Sequence, residues 1–208
     1  MFNKSKILKK KDEKPTDLDE EVSKNLSSLE QKGEVSLKGV FINSTESVEY
    51  KREDGTMGTY RLIRIPHRSL DKFTKVRSAV IEHLEAVANC PCIVVANRTI
   101  ISKRAVHHPS QMRPRSRTLK AVHLAVLNDI VAPSGVVGRR VRATLDGKNH
   151  ERVYLDPLDK EMMQDKTAAM SHAYQKLTTH KIHFEFPKPN VHQQKVLDQL
   201  KEKRRNQK

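Results

Sequence analysis

The chain has 208 residues, 36% hydrophobic and 31% charged, which supports one large domain or two small ones with a lean core and a wide polar surface. Forty Lys and Arg against 25 Asp and Glu leave a net charge of +15, a balance that favours polyanionic partners. No run approaches the roughly 18 apolar residues of a membrane span, the N-terminus has no apolar signal core, and two cysteines fit a reduced, soluble, intracellular protein.

Residues 1–15, with Lys4, Lys6, Lys9, Lys10, Lys11 and Lys14, read as a basic flexible arm. Thr16 is placed to cap a helix whose first turn holds Asp17, Asp19, Glu20 and Glu21, where the helix dipole favours acids. Leu18, Val22, Leu26 and Leu29 follow at helical spacing, and Gly33 ends the segment. Val40 to Asn43 is a short strand candidate. The turn-rich stretch Glu53 to Gly58 separates Val48-Glu49-Tyr50 from Tyr60 to Ile65, a hairpin pattern ended by Pro66. From Ser69 or Leu70, the residues Leu70, Phe73, Val76, Val80, Ile81, Leu84 and Val87 share one face of a long amphipathic helix stopped by Pro91. Cys92 to Ala96 is continuously apolar, as in a strand buried on both faces. Cys90 and Cys92 point to opposite faces of an extended segment, which disfavours a mutual disulfide.

The order then repeats. A helix from Thr118 to about Ile130 places Leu119, Val122, Val126 and Ile130 inward and ends at Pro133. From Val137 to Leu145, Val141, Ala143 and Leu145 alternate inward against Arg140, Arg142 and Thr144. Asp146-Gly147 signals a hairpin turn, and Glu151 to Asp156 returns with Val153 and Leu155 inward. A helix between about Lys160 and Leu177 carries Met163, Met170, Tyr174 and Leu177. Ile182, Phe184 and Phe186 alternate in a last strand closed by Pro187. The expected fold is α/β of the α+β kind: mixed sheets with packed helices, in two similar helix–hairpin–helix–strand halves. The halves span 16–100 and 118–187, joined by a basic loop at 101–117 and flanked by the arm 1–15 and a basic tail 188–208. In the tail, Val191, Val196, Leu197 and Leu200 form one weak amphipathic helix.

Charge distribution locates the candidate site. Residues 86–128 contain no acid, and between Glu85 and Asp146 the single acid is Asp129. Solvated surfaces intersperse both signs, so a one-sign block of this length points to an anionic partner. Its basic residues are the RNA-contact candidates: Arg98, Lys103, Arg104, Arg113, Arg115, Arg117, Lys120, Arg139, Arg140 and Arg142. Pro114 disfavours a helical Arg113. An extended chain, rising about 3.3 Å per residue, then projects Arg113, Arg115 and Arg117 to one side as a row of guanidinium forks for successive phosphates. A helix starts where the row ends and adds its positive dipole end. The alternative for this segment is a solvated basic loop. Aromatics at 4% are too few for a base-stacking platform, so binding is expected to go to phosphates and nucleic-acid shape.

Catalytic and metal chemistry find no support. No Gly-rich phosphate loop occurs, and His150-Glu151 lacks the second His of a zinc-protease helix. Cys90, Cys92, His107 and His108 match no zinc spacing. His67, His83, His123, His172, His180, His183 and His192 are scattered singly and read as surface or core-edge histidines. The expectation is no enzyme, no cofactor, no metal, no membrane and no small-molecule substrate.

The run Arg113-Pro114-Arg115-Ser116-Arg117-Thr118-Leu119, followed by Ala121-Val122-His123, resembles the eukaryotic small-subunit ribosomal protein seven family. Val137-Gly138 with Arg139 or Arg140, Leu145-Asp146-Gly147, Tyr174 with Lys176-Leu177-Thr178, and Phe184-Glu185-Phe186-Pro187 are similar to the same family. The likeness is strong over about 110–187 and weaker but collinear over the first hundred residues. It implies a structural protein of the small ribosomal subunit, bound to small-subunit ribosomal RNA and neighbouring ribosomal proteins, with roles in translation, subunit assembly and rRNA maturation. It also implies a place on cytoplasmic ribosomes after transit through the nucleolus, and an RNA-contact role for Arg113, Arg115 and Arg117. The chain departs from the family by running on to Lys208 and by a less lysine-rich loop at His107-His108. The competing expectation is a non-ribosomal RNA-binding factor that acts in pre-rRNA processing and then leaves.

Overall fold

Helix α1 (Asp17–Gln31) begins at the acid-rich turn after Thr16 because Asp19 closes a capping box. Its carboxylate accepts the Thr16 backbone N–H at 3.0 Å and the Thr16 hydroxyl at 2.7 Å. This is a computed structural model describing residues 6–9, 13–33, 36–52, 55–102, 114–145, 147, 149–188 and 191–206. It has an α+β fold whose two three-stranded mixed sheets lie in two compact units, Met1–Pro133 and Ser134–Lys208.

In the first unit, β1 (Ser44–Lys51) and β2 (Met57–Pro66) form the expected antiparallel hairpin, with Val48 opposite Tyr60. Helix α2 (Leu70–Ala88) then crosses to β3 (Cys92–Asn97), which lies parallel to β2. A parallel return needs such a crossover. The apolar run of β3 is buried through Ala96, as its composition requires. Helix α3 (Leu119–Val131) packs on β3. The core joins Val22, Leu26 and Leu29 of α1 to Ile63 and Ile65 of β2, Phe73, Val80 and Leu84 of α2, and Val94.

The second unit repeats the sheet plan. Strands β4 (Val136–Ala143) and β5 (Asn149–Leu155) are antiparallel, and β6 (Ile182–Glu185) lies parallel to β5. Between β5 and β6 the chain forms α4 (Lys160–Met163) and α5 (Thr167–Thr178). Val153, Leu155, Met170, Tyr174 and Ile182 are buried here. A last helix, α6 (Val191–Asn206), follows in the tail.

Several expectations change. The basic arm is not free along its length. Lys6 is buried and donates to the Leu37 carbonyl at 3.1 Å, its ammonium lies 2.6 Å from Glu30, and Ile7 bridges Ile42. Val40 to Asn43 forms that single bridge in place of a strand, because Gly39 turns the chain at φ +82° just before it. Helix α3 falls with the first unit, not at the head of the second half. The helix expected over 160–177 is interrupted by a 3-10 turn at Gln164–Lys166, where the Thr167 hydroxyl donates to the Gln164 carbonyl at 2.9 Å. Phe186 lies beyond β6. Leu119 is 53% exposed and Val87 is exposed, whereas Leu127 and Val131 are buried. On α2 the inward stripe includes Arg77, 6% exposed.

Candidate nucleic-acid interface

The single acid of the basic block is turned inward. Asp129, on the buried side of α3, accepts the Ala96 N–H at 3.1 Å. Both its oxygens receive the Arg98 guanidinium, one of them at 3.1 Å. The Asp129 backbone carbonyl accepts from Arg77, which also donates to the Val94 carbonyl at 3.0 Å and stacks over the Phe73 ring at 5.6 Å. Burial lowers the Arg77 pKa, and the Asp129 charge opposes that shift. Asp129 therefore ties α2, β3 and α3 together and does not dilute the positive surface. Arg98, with its side chain only 12% exposed, serves mainly as its partner.

The expected extended arginine row is replaced by a tighter turn. Pro114 is extended (φ −67°, ψ 122°), but Arg115–Arg117 form a 3-10 turn closed by Thr118 N–H to the Arg115 carbonyl at 3.2 Å. Proline restricts the residue before it and fixes its own φ, but leaves the following residues free to coil. At three residues per turn, Arg115 and Arg117 diverge around the turn axis. Both are exposed, as is Lys120 in the first turn of α3. The Thr118 hydroxyl donates to the Arg115 carbonyl at 2.7 Å, so α3 begins without a side-chain cap. Lys103, Arg104 and Arg113, like His107 and His108, lie outside the described residues.

In the second unit the register assembles a surface that local sequence does not reveal. Arg140 of β4 lies directly opposite Arg152 of β5, and Arg142 opposite His150. On the next strand, His183 of β6 is opposite Arg152. Alternation puts these five side chains on one sheet face, away from buried Glu151, Val153 and Leu155. Arg140 stacks over the Tyr154 ring at 5.6 Å. Glu185 is the acid on this face and pairs with Arg152 at 3.4 Å. Like charges directly opposite on a sheet are destabilising, so this face favours an anion that separates them. Arg139 points the other way and pairs with Glu151. The inward expectation for Val141, Ala143 and Leu145 fails: β4 is exposed on both faces, with Val141 at 57%. Parity was legible in the sequence, but not how far the core reaches along an outer strand.

Among the described residues, no group of three or more His, Cys, Asp or Glu is arranged to hold a metal ion. Cys90 and Cys92 are not joined in a disulfide. Among the described residues, no helix is long and apolar enough to cross a membrane.

Residues 6–186 match the model of the family described as ribosomal protein S7e. The small ribosomal subunit protein eS7 of Avicennia marina is 35% identical over 186 residues, covering 88% of this chain and 95% of the relative. The protein of the same name from Caenorhabditis elegans is 34% identical over 191 residues, covering 88% and 96%. The Schizosaccharomyces pombe relative, also so named, is 34% identical over 188 residues, covering 88% and 94%.

Proposed function

The chain belongs to the ribosomal protein S7e family, and on that premise we propose that it is a structural, non-enzymatic constituent of the small ribosomal subunit. It binds small-subunit ribosomal RNA, lies against neighbouring ribosomal proteins, and supports translation, subunit assembly and rRNA maturation. Its place is the cytoplasmic ribosome, reached through the nucleolus.

The observation that carries this reading is the sheet face on which Arg140 opposes Arg152 and Arg142 opposes His150. Phosphates along an RNA backbone would relieve the repulsion between Arg140 and Arg152 and replace it with charge-assisted hydrogen bonds. Arg115, Arg117 and Lys120 add a second basic surface, and Lys103, Arg104 and Arg113 are proposed as RNA contacts on their sequence alone. Arg98 and Arg139 take a positioning role, since Asp129 and Glu151 hold their guanidinium groups.

Sedimentation of lysate containing the tagged full chain tests this reading. The expected result is co-migration with small subunits and polysomes at physiological salt. Absence from those fractions would overturn it. Confinement to nuclear precursor particles would favour an assembly factor that leaves before translation.

A further inference from the structure

At the carboxyl ends of the parallel strands β2 and β3, the first unit has an open cleft of ≈ 740 Å³. That volume lies within the roughly 300–1,000 Å³ of small-ligand sites. His67 lines it just beyond Pro66, the last residue of β2, while Asn97 and Thr99 come from the end of β3 and the chain after it. The opposite wall is Ser116 and Arg117, then Ala121 and Ala125 of α3. Crevices at the carboxyl ends of parallel strands are the recurrent ligand sites of open α/β sheets.

We propose that this cleft seats one phosphorylated nucleoside, which in the ribosomal setting is a single nucleotide turned out of an RNA strand. The inference deepens the RNA-binding reading and rests on it for the source of the nucleotide. Arg117 is exposed on the lining, where its guanidinium can take the phosphate, while Arg98, paired with Asp129, holds the wall in place. The Asn97 amide both donates and accepts, and the Thr99 and Ser116 hydroxyls do the same, a set suited to the edges of a base or ribose. Ala121 and Ala125 are one helical turn apart and present a wall without long side chains, against which a flat base can lie. No carboxylate lines the cleft among the described residues, and that of Asp129 behind the wall is neutralised by Arg98.

The test titrates ¹⁵N-labelled full-length protein separately with adenosine 5′-monophosphate, inorganic phosphate and a short single-stranded oligoribonucleotide, following amide shifts. The expected result is shifts at Asn97, Thr99, Ser116, Arg117 and Ala121 with the two nucleotide probes, which phosphate alone does not reproduce. Tighter binding of the oligonucleotide identifies an RNA strand as the source, and tighter binding of the monophosphate a free nucleotide. Ala121→Leu fills the cleft without changing charge and is expected to weaken nucleotide binding about tenfold. Asn97→Ala, at an exposed position, is the second variant, with thermal unfolding as the folding control. Shifts confined to other residues, an equal response to phosphate, or unchanged affinity in both folded variants would overturn the proposal. Those results leave co-sedimentation with small subunits intact, so failure of the cleft and failure of the ribosomal reading are distinguishable.

Discussion

Replacing Asp19 by Asn removes one negative charge from the first unit and keeps the side chain's shape. The carboxylate is fully buried. Burial by itself raises its pKa. The Lys9 ammonium at 2.5 Å, the Thr16 N–H and hydroxyl, and the Thr45 N–H at 2.6 Å outweigh burial and bring the pKa from 3.8 down to about 2. A folded-state pKa below the unfolded value adds stability that is complete above the unfolded pKa and is lost as pH falls through the folded one. The window is therefore pH 4 down to 2. At about 1.4 kcal/mol per unit, the depression is worth about 2 kcal/mol, a sizeable fraction of a marginally stable domain. Urea unfolding of wild type and Asp19→Asn at a series of pH values reads it directly. The variant should be less stable by about 2 kcal/mol at pH 6, and the difference should shrink toward pH 2. A difference that stays constant across this range would refute the reasoning, because its origin would then be packing and not ionisation.

Asp129→Ala leaves Arg98 and the Ala96 N–H without their carboxylate partner and is expected to cost about 3 kcal/mol in urea unfolding; an unchanged midpoint would show that the carboxylate does not anchor β3 to α3. The triple variant Arg140→Ala, Arg142→Ala and Arg152→Ala should lower the logarithmic salt slope of rRNA-fragment binding by about 2, at ~0.7–0.9 per lost phosphate contact. Arg139→Ala should do the opposite, destabilising the second unit by about 2 kcal/mol through unpaired Glu151 while leaving the salt slope unchanged. Ending the chain after Lys188 removes α6, which holds the exposed pairs Lys201–Glu161 and Arg204–Asp159. Exposed pairs are worth about 0–1 kcal/mol each, so guanidinium unfolding should shift little; a large loss would mean that the tail belongs to the core.

Local periodicity was enough to find α2, because Phe73, Val80 and Leu84 repeat at helical spacing, and to find β3, because a strand covered on both faces must be apolar throughout. The duplicated element order was legible for the same reason. Arg77 was missed because a charged residue in an apolar stripe normally marks the solvent side, and its carbonyl acceptors on β3 and α3 are distant in sequence. Arg152, His150 and His183 did not stand out as candidates for a related reason: each is an ordinary polar position on its own strand. Only the register of β4, β5 and β6 makes them neighbours of Arg140 and Arg142. The arginine row failed on a local point. The constraint that Pro114 places on Arg113 says nothing about Arg115, and the chain coils there.

The outer position of β4 has a consequence away from RNA. One side of the strand pairs with β5, and the other has no strand beside it among the described residues, while Val137 and Val141 stand exposed along it. An open edge of this kind is a template for pairing with a second chain. Arg140 and Arg142 can act there as gatekeepers, because two such edges brought together would set like charges side by side. That protection is electrostatic and weakens as the screening length falls from about 10 Å at 0.1 M salt to about 3 Å at 1 M. The concentrated salt used to strip nucleic acid from a basic protein thus also removes its guard against self-association. Light scattering across a salt series should rise for the wild type at high salt, and at much lower salt for the arginine variants.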